Sequence, residues 1–566
     1  MITTSSIRVG FARIALSSLA LAGCVAVTTH SGQGTGGNGG QPSLPGTGGT
    51  PGVGGSNGTG GATGTGGGGL NGSGGGIFDG GRDGPSAGRS GGGTGGAIDA
   101  GATGVDGGAP PPFSGPSVAG TVTVTRTSTM GHLGPGFAGF SFEKTHMTDG
   151  FFTGTNAPLI AMFKLLGAGI VRIGANDVDS STWVPTATPV AGGQTSHNIG
   201  TADVDALAAF LTATGWKAIY GVSMRTATQP SVDESVYVVS KLGARLHSIE
   251  IGNEINFFAN NAVGTPTMQW EVFEAAIHGA LPTVPLAGPA AAGAVTTFTV
   301  PFANTEANRI VLLTEHYYKG AAANNPTITQ LLALDPSVVT QSQALLAAVQ
   351  ANHIAGGFRW GEMNSYSGHG AAGVSDVFAA ALWGIDFMLT TAEYGAVGVN
   401  FHSGGQNMDG NVCTNGVTSC TRPFRYSPVI EVDSRVTAAA PLFYGMLFVS
   451  QAGVGDMLQT RVTVGSVNFT AYSIALPDGS TSIALVNKDA TNGVNASVDV
   501  GASVAAATAT YLQAPSLGAT TGVTLAGAAV SPTGAWTPRA PYNLPASGNV
   551  VTLVVPPATA VLVHAR

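Results

Sequence analysis

Gly361-Glu362-Met363-Asn364-Ser365 closes the apolar run Gly357-Phe358-Arg359-Trp360 and reads as a strand that stops on a carboxylate. Ser248-Ile249-Glu250-Ile251-Gly252-Asn253-Glu254 mirrors it upstream, a β-branched run that ends on an acid with an Asn just before it. Outward from these two stretches one unit recurs, a short apolar strand followed by a helical pattern. The strand signals fall at 138–143, 169–174, 217–222, 248–254, 284–288, 309–316, 357–362 and 396–402. The helical patterns lie at 157–166, 204–214, 234–242, 269–278, 328–351 and 374–394. Eight such strands predict an α/β fold, a (β/α)8 TIM barrel.

The texture changes on either side. After about residue 453, short alternating strands separated by turns such as Pro477-Asp478-Gly479 predict a β-sandwich. The alternating run 117–129 precedes the first barrel strand and is a candidate to join that sandwich. Residues 24–112 are dominated by Gly, with Thr, Ser, Asn, Ala and Pro, a composition that cannot form a core. A disordered, Gly-rich linker of that length spans roughly 50 Å. The expected organisation is a signal peptide at 1–23, this linker at 24–112, the barrel at 113–452 and the sandwich at 453–566.

Charge is sparse, at 9% of 566 residues, and the net charge is −8. That argues against a nucleic-acid partner, which needs a basic face. The three cysteines separate by position. Arg8 and Arg13 precede the apolar run 14–22, which closes on Leu21-Ala22-Gly23-Cys24 and resembles a bacterial lipobox. The resemblance implies cleavage before Cys24, acylation of its thiol and an exported protein anchored by lipid to the cell envelope, at an outer membrane or the cell surface. Cys413 and Cys420 flank an Asn-Gly turn signal, and in an exported chain they are expected to form a disulfide. Free thiols are the alternative. Two cysteines without nearby His give too few ligands for a metal, and no metal or cofactor is expected.

Two strand-end glutamates on one barrel suit glycoside hydrolysis, in which one carboxyl protonates the leaving oxygen and a second faces it. Asn253-Glu254 looks like the acid/base pair of the large retaining clan of barrel glycosidases, and Glu362 looks like its strand-seven nucleophile. The likeness extends to the β-glucuronidase and heparanase-like family of that clan, glycoside hydrolase family 79. It is carried by Gly139-Phe140-Ser141-Phe142-Glu143, Val171-Arg172-Ile173-Gly174, Ile251-Gly252-Asn253-Glu254, Glu315-His316-Tyr317-Tyr318, Gly361-Glu362-Met363-Asn364-Ser365 and Gly398-Val399-Asn400-Phe401-His402. The resemblance implies Glu254 as general acid/base, Glu362 as nucleophile and Asn253 on the sugar 2-hydroxyl. It further implies Tyr318 hydrogen-bonded to the nucleophile, Arg172 holding Glu362 ionised and Glu143 on sugar hydroxyls. His316 and His402, on apolar strands, are candidate sugar contacts or hydrogen-bonded core residues. The loop 366–370 would read a uronic-acid carboxylate. There the chain departs from the family pattern, with Ser367 where a tyrosine is expected and His369 where a glycine is expected.

The expected activity is therefore a retaining exo-β-glucuronidase acting on a uronic-acid-containing poly- or oligosaccharide. An endo-acting, heparanase-like enzyme is one alternative, although a sulfated substrate would call for more than the 22 Lys and Arg of this chain. A β-xylosidase-like activity is another. A non-catalytic, glycan-binding surface protein is a third, in which Glu254 and Glu362 serve only as structural acids at helix N-termini.

Overall fold

The computed structural model describes residues 107–190, 194–405 and 423–566. Cys24, Cys413 and Cys420, and with them the expected lipid anchor and disulfide, lie outside the described residues. Among the described residues no helix is long and apolar enough to cross a membrane.

Eight parallel strands close into a barrel: β1 (Ala138–Glu143), β2 (Ile170–Gly174), β3 (Lys217–Val222), β4 (Leu246–Ile251), β5 (Leu286–Ala292), β6 (Leu312–Ala321), β7 (Phe358–Ser367) and β8 (Ala396–Ser403). Each pairs parallel with its sequence neighbour, and β8 pairs with β1 to complete the ring. Helices pack around the outside on aromatic side chains. Phe140 of β1 stacks on Phe163 at 4.6 Å and on Trp216 at 5.6 Å.

The inside of the barrel is polar. Arg359, at the start of β7, is fully enclosed, donates to Asn400 of β8 and reaches the carbonyls of Gly136, Phe137 and Val399 at 3.1–3.2 Å. Burial alone lowers its pKa to about 9, so the guanidinium keeps its charge at neutral pH. Two glycines make room for it. A Cβ on Gly398 would lie 1.9 Å from one Arg359 nitrogen, and one on Gly139 would lie 2.8 Å from another.

Strand limits differ from expectation in ways that matter for the site. β4 ends at Ile251, so Glu254 lies three residues beyond it rather than at its tip. β7 runs on to Ser367, so Glu362 lies within the strand. The helical pattern 328–351 is two helices, Ile328–Leu332 and Pro336–Asn352, because Asp335 caps the second through the Ser337 N–H and Pro336 opens it.

The run 117–129 extends to Leu133 as one long strand that leaves the barrel to join the C-terminal β structure. It pairs antiparallel with Gly455–Thr463 and parallel with Gly493–Asp499, at the centre of an 11-stranded sheet. That sheet closes over a second core, which includes Val122, Val124, Leu485, Val498 and Val563. The helix Pro441–Gln451 connects barrel to sheet. Asp386, on the outer helix Phe378–Glu393, accepts from Thr470 and Tyr472 and pairs with Lys488, so the two cores are stapled by one half-buried acid.

Replacing Gly398 with Ala should force Arg359 from its pocket and lower stability by about 1–3 kcal/mol. A chemical-denaturation midpoint indistinguishable from wild type would contradict this packing.

Candidate active site

Two local departures from regular strand geometry bring the acids to the barrel mouth. Trp360 points outward and meets Phe387 of the surrounding helix with ring centroids 6.2 Å apart. Strict alternation would send Glu362 to the same outer face. The pairing of β7 with β6 slips between Trp360 and Glu362, and this irregularity turns Glu362 inward beside His316. After β4 the chain turns through Gly252 at φ 75° and Glu254 at φ 49°. Left-handed backbone at a non-glycine residue is costly. It is held there by three hydrogen bonds, Gly252 N–H to Val222, Asn253 N–H to the Asp179 carboxylate and Glu254 N–H to the Ala290 carbonyl.

Arg172 of β2 is the hub. Its side chain is fully buried and donates to Glu250 (2.5 Å), Ser141 (3.1 Å), Glu362 Oε2 (2.9 Å) and Asn253 Oδ1 (2.8 Å). It thereby ties β1, β2, β4 and β7 together. Tyr318 of β6 donates to the other oxygen, Glu362 Oε1, at 2.8 Å. Across the mouth, His316 Nδ1 is 3.3 Å from Glu254 Oε1. Oxygens of Glu254 and Glu362 lie within 4.8 Å of one another. The two acids differ in setting. The Glu254 side chain is 25% exposed and that of Glu362 is 4% exposed, so the first reaches solvent and the second does not.

The surrounding charges set the buried carboxyls Glu362 and Glu143 apart. Burial pushes the Glu362 carboxyl up, but His402, His316, Arg172 and the Tyr318 hydrogen bond together outweigh it and hold its pKa at about 2. Glu362 is therefore ionised across the physiological range. Glu143 goes the other way. Burial, with the charges of Asp177 and Glu362, outweighs its contact with His402 and raises it to about 7. A low-pKa buried carboxylate facing a more exposed carboxyl is the arrangement of a nucleophile and an acid/base. Although the donor atoms of Glu254, His316 and Glu362 cluster, Arg172 and His402 already supply the positive charge at Glu362, which disfavours a cation there.

The structure thus brings together Asn253, Glu254, Arg172, His316, Tyr318, Glu362, Glu143 and His402. Glu143 accepts the Asp177 N–H at 2.8 Å and lies 3.6 Å from His402 Nε2. Ser367 and His369 stand further along the chain. Ser367 is half-buried at the end of β7, opposite Ala321. The His369 ring packs on Phe424 at 4.4 Å, and Phe424 is in turn 5.6 Å from the His402 ring. Glu250, whose place among apolar strand residues reads as scaffold rather than catalytic, does serve as scaffold: it anchors Arg172 and accepts from Thr314 at 2.9 Å. Two contributors escape the sequence reading. Asp179 holds the Asn253 backbone. Tyr426, whose ring is 6.2 Å from Tyr318, carries no motif at all.

No protein-family model matches the chain, and no curated protein matches it in sequence. Solved structures match in fold. A 4-O-α-L-rhamnosyl-β-D-glucuronidase from Fusarium oxysporum 12S, in complex with Rha-GlcA, superposes with a TM-score of 0.62 at 19% identity, covering 78% of this chain and 99% of that one. A GH51 arabinofuranosidase from Xanthomonas axonopodis pv. citri gives 0.56 at 13% identity, covering 80% and 100%. CelM2, a bifunctional glucanase-xylanase from a metagenome library, gives 0.53 at 12% identity, covering 79% and 99%. The chain shares with them the fold of a barrel joined to a β domain.

Substituting Tyr318 with Phe removes the hydrogen bond to Glu362 and should raise the pKa of that carboxyl by about 1–2 units. Carbon-13 titration of labelled Glu side chains reads the shift, and an unmoved Glu362 resonance would show that the phenol does not set its charge.

Proposed function

We propose that the protein is a retaining exo-β-glucuronidase that removes uronic acid from the ends of glycans. The observation that carries the reading is the approach of Glu254 and Glu362 within 4.8 Å, with Glu362 held as a buried anion. Retaining glycosidases hold their two carboxyls about 5–5.5 Å apart, whereas inverting enzymes leave roughly 6.5–9.5 Å for a water. In the first step Glu362 attacks the anomeric carbon while Glu254 gives its proton to the leaving oxygen. In the second step Glu254, now ionised, takes a proton from water as that water attacks the ester, and Glu362 is released as carboxylate. Asn253, oriented by Arg172 at 2.8 Å, presents its amide to the sugar 2-hydroxyl.

The choice of a uronic acid rests on the sequence likeness to the glucuronidase family and on the fold likeness to a rhamnosyl-glucuronidase. Ser367 and His369 are proposed to read the sugar carboxylate from the loop after β7. We further propose that acylated Cys24 anchors the enzyme to the cell envelope. The fold likeness to arabinofuranosidases supports a second reading, a retaining arabinofuranosidase acting on neutral pentosides.

Assay of residues 107–566 on a panel of aryl glycosides separates these readings. Turnover of the β-glucuronide with first-formed β-glucuronic acid is expected, read as the anomeric configuration by proton NMR. Turnover of the arabinofuranoside alone would favour the second reading, and an inverted product would exclude double displacement. Replacing Glu254 with Gln should lower kcat/KM by about 10²–10⁴-fold on substrates with poor leaving groups. The loss should shrink on dinitrophenyl glycosides, whose leaving oxygen needs no proton. Equal loss on both would remove Glu254 from the acid role.

A further inference from the structure

His402 of β8 lies between two buried carboxylates. Its Nε2 is 3.6 Å from Glu143 Oε1 and its Nδ1 is 3.8 Å from Glu362 Oε2. The His402 and Glu362 side chains are each 4% exposed and that of Glu143 is 8%, so water screens these charges little. Nδ1 makes no hydrogen bond. Each ring nitrogen therefore faces an acid, one from β1 and one from β7. The ring is held edgewise by Tyr426 and Phe424, with centroids at 6.0 and 5.6 Å. The His402 carbonyl is fixed by the Asn364 side-chain amide at 2.9 Å.

The charges around this ring do not balance without it. Facing it are Glu143 from β1, Arg172 from β2 and Glu362 from β7, with His316 of β6 near Glu362 and Asp177 behind Glu143. Arg172 is shared between Glu250 and Glu362. Among the described residues, Glu143 receives a backbone N–H, from Asp177, and the imidazole, and no other donor.

Resting on the glycosidase reading above, we infer that His402 is a positioning residue, an imidazolium that bridges Glu143 to Glu362 and fixes the charge of the nucleophile, rather than a sugar contact. Burial lowers the pKa of this ring, but Glu362 and Glu143 outweigh burial and raise it, so the bridge stays charged at and above the ordinary histidine pKa. The cation favours ionised Glu362 in the free enzyme. When Glu362 becomes an ester its charge is gone, and Glu143 remains as the partner of the imidazolium.

The test compares wild type with His402→Gln, which keeps hydrogen-bonding capacity and drops the charge. Losing a cation about 4 Å from the nucleophile should raise the Glu362 pKa by about 1–3 units. The acid limb of kcat/KM should move to higher pH by the same amount, with KM at the optimum nearly unchanged. Carbon-13 titration of Glu362 reads that shift whether or not any glycoside is turned over, so failure of the hydrolase reading and failure of this one are distinguishable. An unmoved Glu362 titration, or a raised KM at constant kcat with the acid limb in place, would overturn the inference. Should His402→Gln fail to fold, Glu143→Gln serves instead. It should lower the His402 imidazole pKa seen by nitrogen-15 NMR, and an unchanged imidazole titration would overturn the bridge.

Discussion

A guanidinium sealed inside the barrel governs this structure. Arg172 is taken out of water, and such a charge is tolerated only when it is paired and hydrogen-bonded. Its partners come from four places on the wall: Glu250, Ser141, Asn253 and Glu362. Those partners fix how β1, β4 and β7 sit relative to β2. They also fix the orientation of the Asn253 amide and the ionisation of Glu362. Removing one partner of such a network leaves a buried charge uncompensated, at a cost of about 3–5 kcal/mol. Stability and the chemistry of the site are therefore set by the same contacts.

The two ends of the barrel interior use charge differently. At the N-terminal end Arg359 has no carboxylate partner among the described residues and is satisfied by Asn400 and backbone carbonyls, which makes it a plug. At the C-terminal end the carboxylates Glu143, Glu250 and Glu362 gather around Arg172 and His402. There burial and repulsion push Glu143 up to about 7, while Glu362 is drawn down to about 2. A site that holds one carboxyl ionised beside another held partly protonated can carry charge through a reaction cycle with little rearrangement of the protein.

Much of this was legible in the chain. The barrel could be read because each strand is a short apolar run set off by turn residues, and both glutamates stood out because each follows such a run. The hub was legible only in part. Arg172 sits in a strand run, Val171-Arg172-Ile173, where a charge is conspicuous, but its main partner Glu250 is camouflaged among β-branched neighbours. The slip at Trp360–Glu362 left no trace, because a register irregularity is decided by packing across β6 and β7 rather than by local composition. Tyr426 was hidden for a similar reason, as it reaches Tyr318 from a distant loop. Strand limits moved where tertiary hydrogen bonds extended or ended pairing, as at Ile251 and Ser367.

We propose that Glu362 is the nucleophile whose carboxylate oxygen bonds the anomeric carbon, with Glu254 close enough to protonate the leaving oxygen. Incubation with a mechanism-based fluorinated glucuronosyl fluoride, followed by peptide mass spectrometry, tests this most directly. A covalent adduct on Glu362 that persists in the Glu254→Gln variant is the predicted result. An adduct on another residue, or turnover of the reagent without any adduct in either protein, would contradict it.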